Sequence, residues 1–279
     1  MEAVRYQVDA PIAVVTIDRS EVANAIDRPT AQALADAFRR FDSDDTLSIA
    51  VLTGANATFC AGADLKAMRE DPARASRVAP DGEGPIGPTR MRLGKPVIAA
   101  IEGHAVAGGL ELACWCDLRV AAEDAVFGVF CRRWGIPLMD GGTIRLPRLI
   151  GHSHALDLIL TGRAVSGAEA LRMGLVNRLV PPGQALPEAV ALAREIASRP
   201  QAAVRSDRMS SYAQWSLPLA EALAAEYRHG RSTLETGEMR EGLERYASGQ
   251  WRKGKLRGSP DPTGSGGHAS EEPSKETDR

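Results

Sequence analysis

Residues 95–112 read KPVIAAIEGHAVAGGLEL, in which an apolar run leads through small residues into a helix-like segment. The run Pro96–Ile101 is typical of a buried strand that has proline at its first position. Gly103, Gly108 and Gly109 follow it, and glycine lets a backbone turn tightly and approach a ligand closely. Backbone N–H groups at the start of a helix have no intrahelical acceptor, so this junction can bind an anion.

A second junction of the same kind lies upstream. Residues 58–65 read TFCAGADL and follow the strand-like run Ile49–Thr53. Each junction alone is explained by a tight turn and close helix packing, and neither matches the dinucleotide-binding or P-loop pattern. Two junctions side by side can direct two N–H groups at one oxygen, which predicts an oxyanion hole.

Strand-like and helix-like segments alternate through the first half of the chain. Ile12–Ile17 and Leu118–Ala121 are strand-like, and Pro29 precedes apolar residues at helical spacing. Val176–Val180 predicts one more short strand, and the pattern after it is helical to about residue 248. The fold class predicted from this alternation is α/β with parallel strand pairing.

The composition excludes several classes of function. The chain has 279 residues, with 34 Lys and Arg against 36 Asp and Glu, and a net charge of −2. That balance argues against a nucleic-acid partner and against a membrane surface, and no apolar run is long enough to cross a bilayer. The four cysteines lack zinc-ligand spacing, so we expect reduced, buried thiols, no metal site and a cytoplasmic location.

Three regions divide the chain. Residues 1–196 are predicted to form the core with the binding site, 197–257 a helical assembly region, and 258–279 a disordered tail rich in Gly, Ser, Pro and charge. Within the core, residues 71–90 have the composition of a poorly ordered loop or lid. The C-terminal helices carry apolar faces that must pack on the core, on another subunit, or on both.

Several separated motifs resemble the crotonase (enoyl-CoA hydratase/isomerase) superfamily. They are the two junctions above and, in the expected order, the segments 18–25, 127–151 and 160–176. The similarity covers roughly residues 5 to 250. It implies a spiral of ββα units with a C-terminal helical trimerisation region, assembled as a homotrimer or a dimer of trimers.

Members of this family bind acyl-CoA thioesters, so the resemblance implies an acyl-CoA substrate, with coenzyme A part of the substrate and no separate cofactor. By motif position, Ala63 and Gly108 supply the two backbone N–H donors that polarise the thioester carbonyl and stabilise an enolate-like anion. Gly108 also opens a helix, whose positive end adds to the field. Glu111 matches the first catalytic glutamate of the hydratases.

The sequence departs from the hydratase pattern at Cys131. The resemblance places a second catalytic glutamate four residues after Phe127, and Cys131 stands there. A thiol with an ordinary pKa of about 8.5 delivers protons poorly at pH 7, so we interpret Cys131 as a small residue lining the pocket, with a reactive thiol as the alternative. Asp140 is either the second acid/base, paired with Glu111, or the cap of the helix that follows it.

Substrate contacts carry over from the family largely through backbone groups. The residues predicted to bind substrate are Asn24, Ala25, Ala61, Asp64, Leu65, Lys66, Cys131 and Trp134. Lys66 is either a phosphate contact or a solvated surface lysine, and Trp134 and Met91 are either pocket or core residues. The basic residues Arg252, Lys253 and Lys255 are further candidates for contacts with coenzyme A.

Three functions stay open at this point. The first is a hydratase or double-bond isomerase of fatty-acid or related acyl-CoA metabolism. The second uses the same enolate site, with Asp140, for isomerisation, thioester hydrolysis, dehalogenation or decarboxylation. The third is a non-catalytic acyl-CoA binder, because Cys131 removes the second acid/base of the hydratases.

Overall fold

In the computed structural model, which describes residues 2–249, the chain forms an α/β fold. The strands, in chain order, are β1 (Val4–Asp9), β2 (Ile12–Ile17), β3 (Ile49–Gly54), β4 (Val97–Ile101), β5 (His104–Val106), β6 (Leu118–Ala122), β7 (Val126–Gly128), β8 (Val165–Ser166) and β9 (Arg178–Val180). The helices are α1 (Arg28–Ser43), α2 (Leu65–Glu70), α3 (Gly108–Trp115), α4 (Gly142–Ile150), α5 (His152–Thr161), α6 (Gly167–Met173), α7 (Ala185–Ala197), α8 (Gln201–Ala213), α9 (Leu219–Leu234) and α10 (Glu238–Ala247).

The main sheet of the described residues has six strands in the order β1-β2-β3-β4-β6-β9. All neighbouring pairs are parallel, as predicted, except the first, in which β1 pairs with β2 in antiparallel register. Sequence reasoning missed β1. It is an edge strand in which only Val4 is buried, so its sequence lacks the apolar run that marks a core strand.

Before α3 and α4, two consecutive strands enter two different sheets. β4 joins the main sheet, β5 joins a second sheet of order β5-β7-β8, and α3 follows. The next turn repeats the order with β6, β7 and α4. The turn before them contains β3, then a parallel bridge between Cys60 and Ala105, then α2. This repetition confirms the predicted spiral of ββα units.

Helix α7 covers one face of the main sheet. Residues that alternate along the strands, such as Ile49 and Val51 of β3, pack with Ala189 and Leu192 of α7. The intervening Ala50 belongs to the larger core on the opposite face. Both faces are therefore buried, which explains why the central strands are continuous apolar runs.

The prediction of a poorly ordered loop over residues 71–90 is wrong for its second half. The segment holds short 3-10 helices at Pro72–Arg74 and Pro88–Arg90, but residues 84–89 are buried. Gly87 has φ +108°, and a Cβ at this position would lie 2.8 Å from the carbonyl oxygen of Ala31 in α1. Composition indicated a loop because Gly and Pro serve here for close packing as well as for turning.

The chain divides into two compact units. The first extends to Thr236 and includes α8 and α9, and the second begins at Gly237 and has α10 as its described part. An assembly role for residues 197–257 stays a prediction, and both its end, residues 250–257, and the predicted tail, 258–279, lie outside the described residues. All four cysteines are buried free thiols, as predicted. No helix in residues 2–249 has the length and apolar character needed to cross a bilayer.

Candidate active site

The register of two successive turns places Ala63 and Gly108 next to each other. Cys60 lies opposite Ala105 in a parallel bridge, and Ala63 and Gly108 each follow three residues later. Gly62 has φ +93°, and a Cβ at this position would lie 2.8 Å from the backbone nitrogen of Gly108. Only glycine permits this approach of the two backbones.

Nearly all backbone N–H groups around Ala63 donate a hydrogen bond. The N–H groups of residues 59, 60, 61 and 64 donate to the carbonyl oxygens of Glu102, His104, Ala23 and Ile26, and the N–H of Gly62 donates to the Cys60 sulfur. The N–H of Ala63 has no acceptor among the described residues, and the same holds for Gly108 at the first position of α3. Two backbone N–H groups without an acceptor therefore lie on adjacent backbone segments, and an oxyanion hole requires two such donors.

A strained residue directs the second donor. Ala107, which precedes α3, has φ +53° and ψ −126°, a region that glycine tolerates and other residues rarely adopt. Its own N–H is held by the carbonyl oxygen of Gly128 at 2.8 Å. Such backbone strain costs about 1–3 kcal/mol and is often found at functional sites.

A buried ion pair fixes the loop that carries the first donor. Arg19 Nη2 lies 2.9 Å from Asp64 Oδ2, and Asp64 Oδ1 accepts the N–H of Ala67 and so caps α2. Asn24 uses its amide to donate to the carbonyl oxygens of Ala55 and Thr58 and accepts the N–H of Arg19. Asn24 and Asp64, both predicted to bind substrate, thus have side chains that hold the loop in place.

Glu111 lies in the first turn of α3 and is 3% exposed. Its Oε1 accepts the N–H groups of Asp140 at 2.9 Å and Gly142 at 2.8 Å, which are the backbone donors at the start of α4. Burial and the neighbouring charge of Asp140 raise the pKa of Glu111 to about 7. A carboxyl group with this pKa can both take up and release a proton near neutral pH.

Asp140 is 4% exposed and lies beside Glu111. Its Oδ1 accepts the N–H of Ile86 and the hydroxyl of Thr89, and burial raises its pKa. The alternative that Asp140 caps the following helix is wrong, because Gly141 is the cap residue and the Glu111 carboxylate binds the free N–H groups. Sequence reasoning missed Ile86 and Thr89, since their loop-like segment carries no catalytic pattern.

Cys131 lies in a short 3-10 helix, Phe130–Trp134, and is 7% exposed. Burial, and then the charge of Glu111, raise the pKa of its thiol. The thiol therefore stays protonated at neutral pH, which favours the interpretation as a small lining residue over that as a nucleophile.

The other predicted contacts are more dispersed. Ala25 accepts a hydrogen bond from Arg19 through its carbonyl oxygen, and Ala61 is tied to Ala23 as described above. Leu65 and Lys66 are exposed at the start of α2, where a large ligand could reach them. Trp134 is 70% exposed, so its indole is not part of the buried site. Arg252, Lys253 and Lys255 lie outside the described residues.

Comparison with known proteins identifies the family of this chain. The sequence profile of the family described as "Enoyl-CoA hydratase/isomerase" matches residues 7–253. "Enoyl-CoA hydratase EchA19" of Mycobacterium tuberculosis is 37% identical over 241 residues, which span 84% of this chain and 89% of that protein. The "Carnitinyl-CoA dehydratase" of Salmonella arizonae is 41% identical over 197 residues, spanning 70% of this chain and 74% of the relative.

Solved structures give the same result. The crystal structure of enoyl-CoA hydratase EchA1 from Mycobacterium marinum superposes with a TM-score of 0.83 at 36% identity, covering 88% of this chain and 96% of that one. A structure of enoyl-CoA hydratase from Mycobacterium tuberculosis matches with the same TM-score, identity and coverage. The sequence, the spiral of ββα units and the paired glycine junctions agree: this chain belongs to the crotonase superfamily, in the enoyl-CoA hydratase/isomerase family of enzymes.

Proposed function

We propose that this enzyme adds water to, or moves the double bond of, an enoyl-CoA thioester through an enolate held by Ala63 and Gly108. The observation that carries the proposal is the close approach of the backbones at Gly62 and Gly108, which brings the unpaired N–H groups of Ala63 and Gly108 into one region, with Glu111 in the first turn of the helix that Gly108 begins. The substrate carries its own coenzyme A, and the proposal requires no separate cofactor or metal.

Hydration follows from these groups in a balanced way. Glu111 takes a proton from water, and the oxygen of that water bonds to the β-carbon. The electron pair of the double bond moves onto the α-carbon and the thioester oxygen, where the N–H groups of Ala63 and Gly108 stabilise it. The α-carbon then takes one proton, which completes the addition of water.

The source of this last proton distinguishes the chain from the two-glutamate pattern. Cys131 is a poor proton donor, because burial and the charge of Glu111 raise the pKa of its thiol. Glu111 itself, at a pKa of about 7, or Asp140, whose pKa burial also raises, can deliver it. Two carboxyl groups with raised pKa values in one site suit a proton shuttle, which favours the isomerase variant of the proposal.

The test is the loss of enone absorbance from crotonyl-CoA, with two matched variants. Hydration by Glu111 is supported when wild-type protein turns over crotonyl-CoA and Glu111→Gln does not. Turnover that survives Glu111→Gln and disappears with Asp140→Asn assigns the chemistry to Asp140. Tight acyl-CoA binding by wild-type protein without turnover of 2-enoyl or 3-enoyl substrates would replace the proposal with a non-catalytic binder.

We also propose that the enzyme assembles as a homotrimer or a dimer of trimers and works in the cytoplasm. Leu219, Leu223 and Tyr227 recur every four residues on one face of α9 and are 77%, 57% and 67% exposed in the single chain. An apolar stripe of this kind is typical of a face that another subunit covers. The buried free thiols support a reducing compartment. Sedimentation of wild-type protein and of Leu223→Glu tests the assembly, and the variant is expected to shift to smaller species.

A further inference from the structure

A cavity of about 760 Å³ lies between the segment 89–93, helix α4 and helix α8. Five arginines line it, and none of its described lining residues is an Asp or a Glu: Arg90, Arg92, Arg145, Arg148 and Arg208. A concave surface lined by one sign of charge concentrates ligands of the opposite sign. The lining therefore selects for an anion.

Part of the positive charge of this cavity is unneutralised. Arg90 and Arg145 lie close enough to the Asp140 carboxyl group to lower its pKa, but Arg92 and Arg148 form no ion pair with a described residue. Arg208 pairs with Asp117 at 2.7 Å. Arg90 and Arg145 instead donate to backbone carbonyl oxygens, and Arg148 stacks on the ring of Trp215. Carbonyl oxygens and aromatic rings stabilise a guanidinium group without cancelling its charge, whereas a carboxylate would form charge-assisted hydrogen bonds with it.

The rest of the lining is apolar. Met91, Leu93, Trp115, Leu138 and Met209 all contribute to the cavity. Among the arginines, Arg90, Arg92 and Arg148 are exposed, whereas Arg145 and Arg208 are partly buried. A ligand that matches this surface has an apolar chain and an anionic end. The chain then contacts the apolar side chains, and the anionic end contacts the arginines.

The cavity shares a wall with the catalytic carboxyl groups. A Cβ on Gly142 would lie 2.9 Å from the Glu111 side chain and 3.1 Å from Leu138, so Leu138 stands beside the general base and also lines the cavity. Thr89, another lining residue, donates to the Asp140 carboxylate, and Arg145 donates to the Asp140 carbonyl oxygen. The cavity thus begins next to the carboxyl groups that act on the substrate.

We propose that this cavity receives the far end of the acyl chain and that the preferred substrates are acyl-CoA thioesters whose chain ends in a carboxylate. This inference rests on the proposed function, since it takes the thioester to be bound at Ala63 and Gly108. The apolar middle of the chain passes Leu138 and Met91, and the terminal carboxylate binds among Arg90, Arg92 and Arg148.

The test uses ligand pairs that differ only in the terminal group. Calorimetry compares adipyl-CoA with hexanoyl-CoA, and then the eight-carbon and ten-carbon pairs, on the full-length protein. We expect the ω-carboxy member of at least one pair to bind about tenfold or more tightly, as two charge-assisted contacts provide. The double variant Arg92→Met/Arg148→Met is expected to remove this preference and to leave binding of the plain acyl-CoA unchanged.

Arg92 and Arg148 suit this test because neither forms an ion pair with a described residue. Arg172→Met, which removes an exposed arginine of α6, is the matched control and is expected to keep the preference. Equal binding within every pair overturns the inference and leaves the proposed function standing, whereas failure of all acyl-CoA ligands to bind overturns the proposed function itself. A double variant that changes the oligomeric state and keeps the preference shows that a second copy of the chain covers the cavity, and also overturns the inference.

Discussion

The two halves of the candidate active site are stabilised in opposite ways. The donor side, Ala63 and Gly108, is built from backbone groups that the fold holds by hydrogen bonds and by the Arg19–Asp64 ion pair. The carboxyl side, Glu111 and Asp140, is built from acids whose pKa values are raised mainly by burial. On the donor side, the contacts that position the group also stabilise the fold. On the carboxyl side, the burial that tunes the acid also makes its charge costly.

The largest effect is expected from Glu111→Gln. Turnover should fall about a thousandfold, because the proton-transfer group is lost, while the amide oxygen still accepts the N–H groups of Asp140 and Gly142. The pKa of Glu111 is about 7 in the folded chain against 4.5 for a free group. This raised value stabilises the protonated native state below about pH 4.5, and the stabilisation is lost as the pH rises through 7.

The same variant should therefore be more stable than wild type at pH 8. The expected gain in free energy of unfolding is about 1–3 kcal/mol at pH 8 and vanishes near pH 4.5, because up to about 3 kcal/mol corresponds to such a shift. Urea unfolding at the two pH values measures the difference. A variant that is inactive and also less stable at pH 8 would contradict the contrast between the two halves.

Asp64→Asn tests the donor side, where activity and stability should fall together. Removing one partner of a buried ion pair leaves Arg19 with only its longer contact to Asp27, at 3.5 Å, and is expected to cost about 3 kcal/mol. The loop with the Ala63 donor should loosen, so kcat should fall about tenfold while the affinity for acyl-CoA changes less. Asp71→Asn, at an exposed cap that bonds Ala73, is the control and should change neither quantity by much. Full activity in a destabilised Asp64→Asn protein would show that the ion pair supports the fold alone.

The same contrast explains what could be predicted from sequence. The donors were predictable because a buried strand, a glycine junction and a helix start each leave a local signal, and the spacing from Cys60 and Ala105 is the same in both turns. The carboxyl side was predictable only in part. Glu111 stands within the junction motif, but its partners, the amides of Asp140 and Gly142, lie about 30 residues away and meet it only in the folded chain.

The hydrogen bonds of Asp140 and Asn24 show the same limit of prediction from local sequence. Neither the hydrogen bonds from Ile86 and Thr89 to Asp140 nor the bonds from Asn24 to Ala55 and Thr58 follow from local pattern, since both are long-range contacts. Residues 84–89 were interpreted as loop because Gly and Pro dominate them, although they are buried beside the acid. Tertiary packing decided these positions.

Cys131→Glu tests the carboxyl side by adding an acid, whereas Glu111→Gln removes one. A carboxyl group at this position should supply the α-carbon proton and raise hydration of crotonyl-CoA about tenfold. This is less than the roughly hundredfold or more that a general acid typically contributes, because Glu111 and Asp140 already offer protons in the wild-type protein. It should also lower stability, because a third acid would be buried near Glu111 and Asp140. Cys131→Ala controls for the change in size and should show no gain. A folded Cys131→Glu protein without faster hydration would contradict the placement of this residue at the α-carbon.

Ala107→Gly produces the smallest expected effect and tests a strained backbone position on the donor side. Glycine adopts φ +53° and ψ −126° without strain, so the variant should be more stable by about 1 kcal/mol, even though glycine gains entropy in the unfolded chain. Ala105→Gly, in buried β5, should instead lower stability.

Thermal unfolding of both variants, with kcat on crotonyl-CoA, separates two roles of Ala107. A more stable variant with unchanged kcat means that the hydrogen bond from Ala107 to Gly128 aims the Gly108 donor without help from the side chain. A more stable variant with reduced kcat means that the Ala107 side chain, packed against Gly62, holds the two donors at their working separation. The donor side would then show the same opposition of stability and activity that is expected at Glu111.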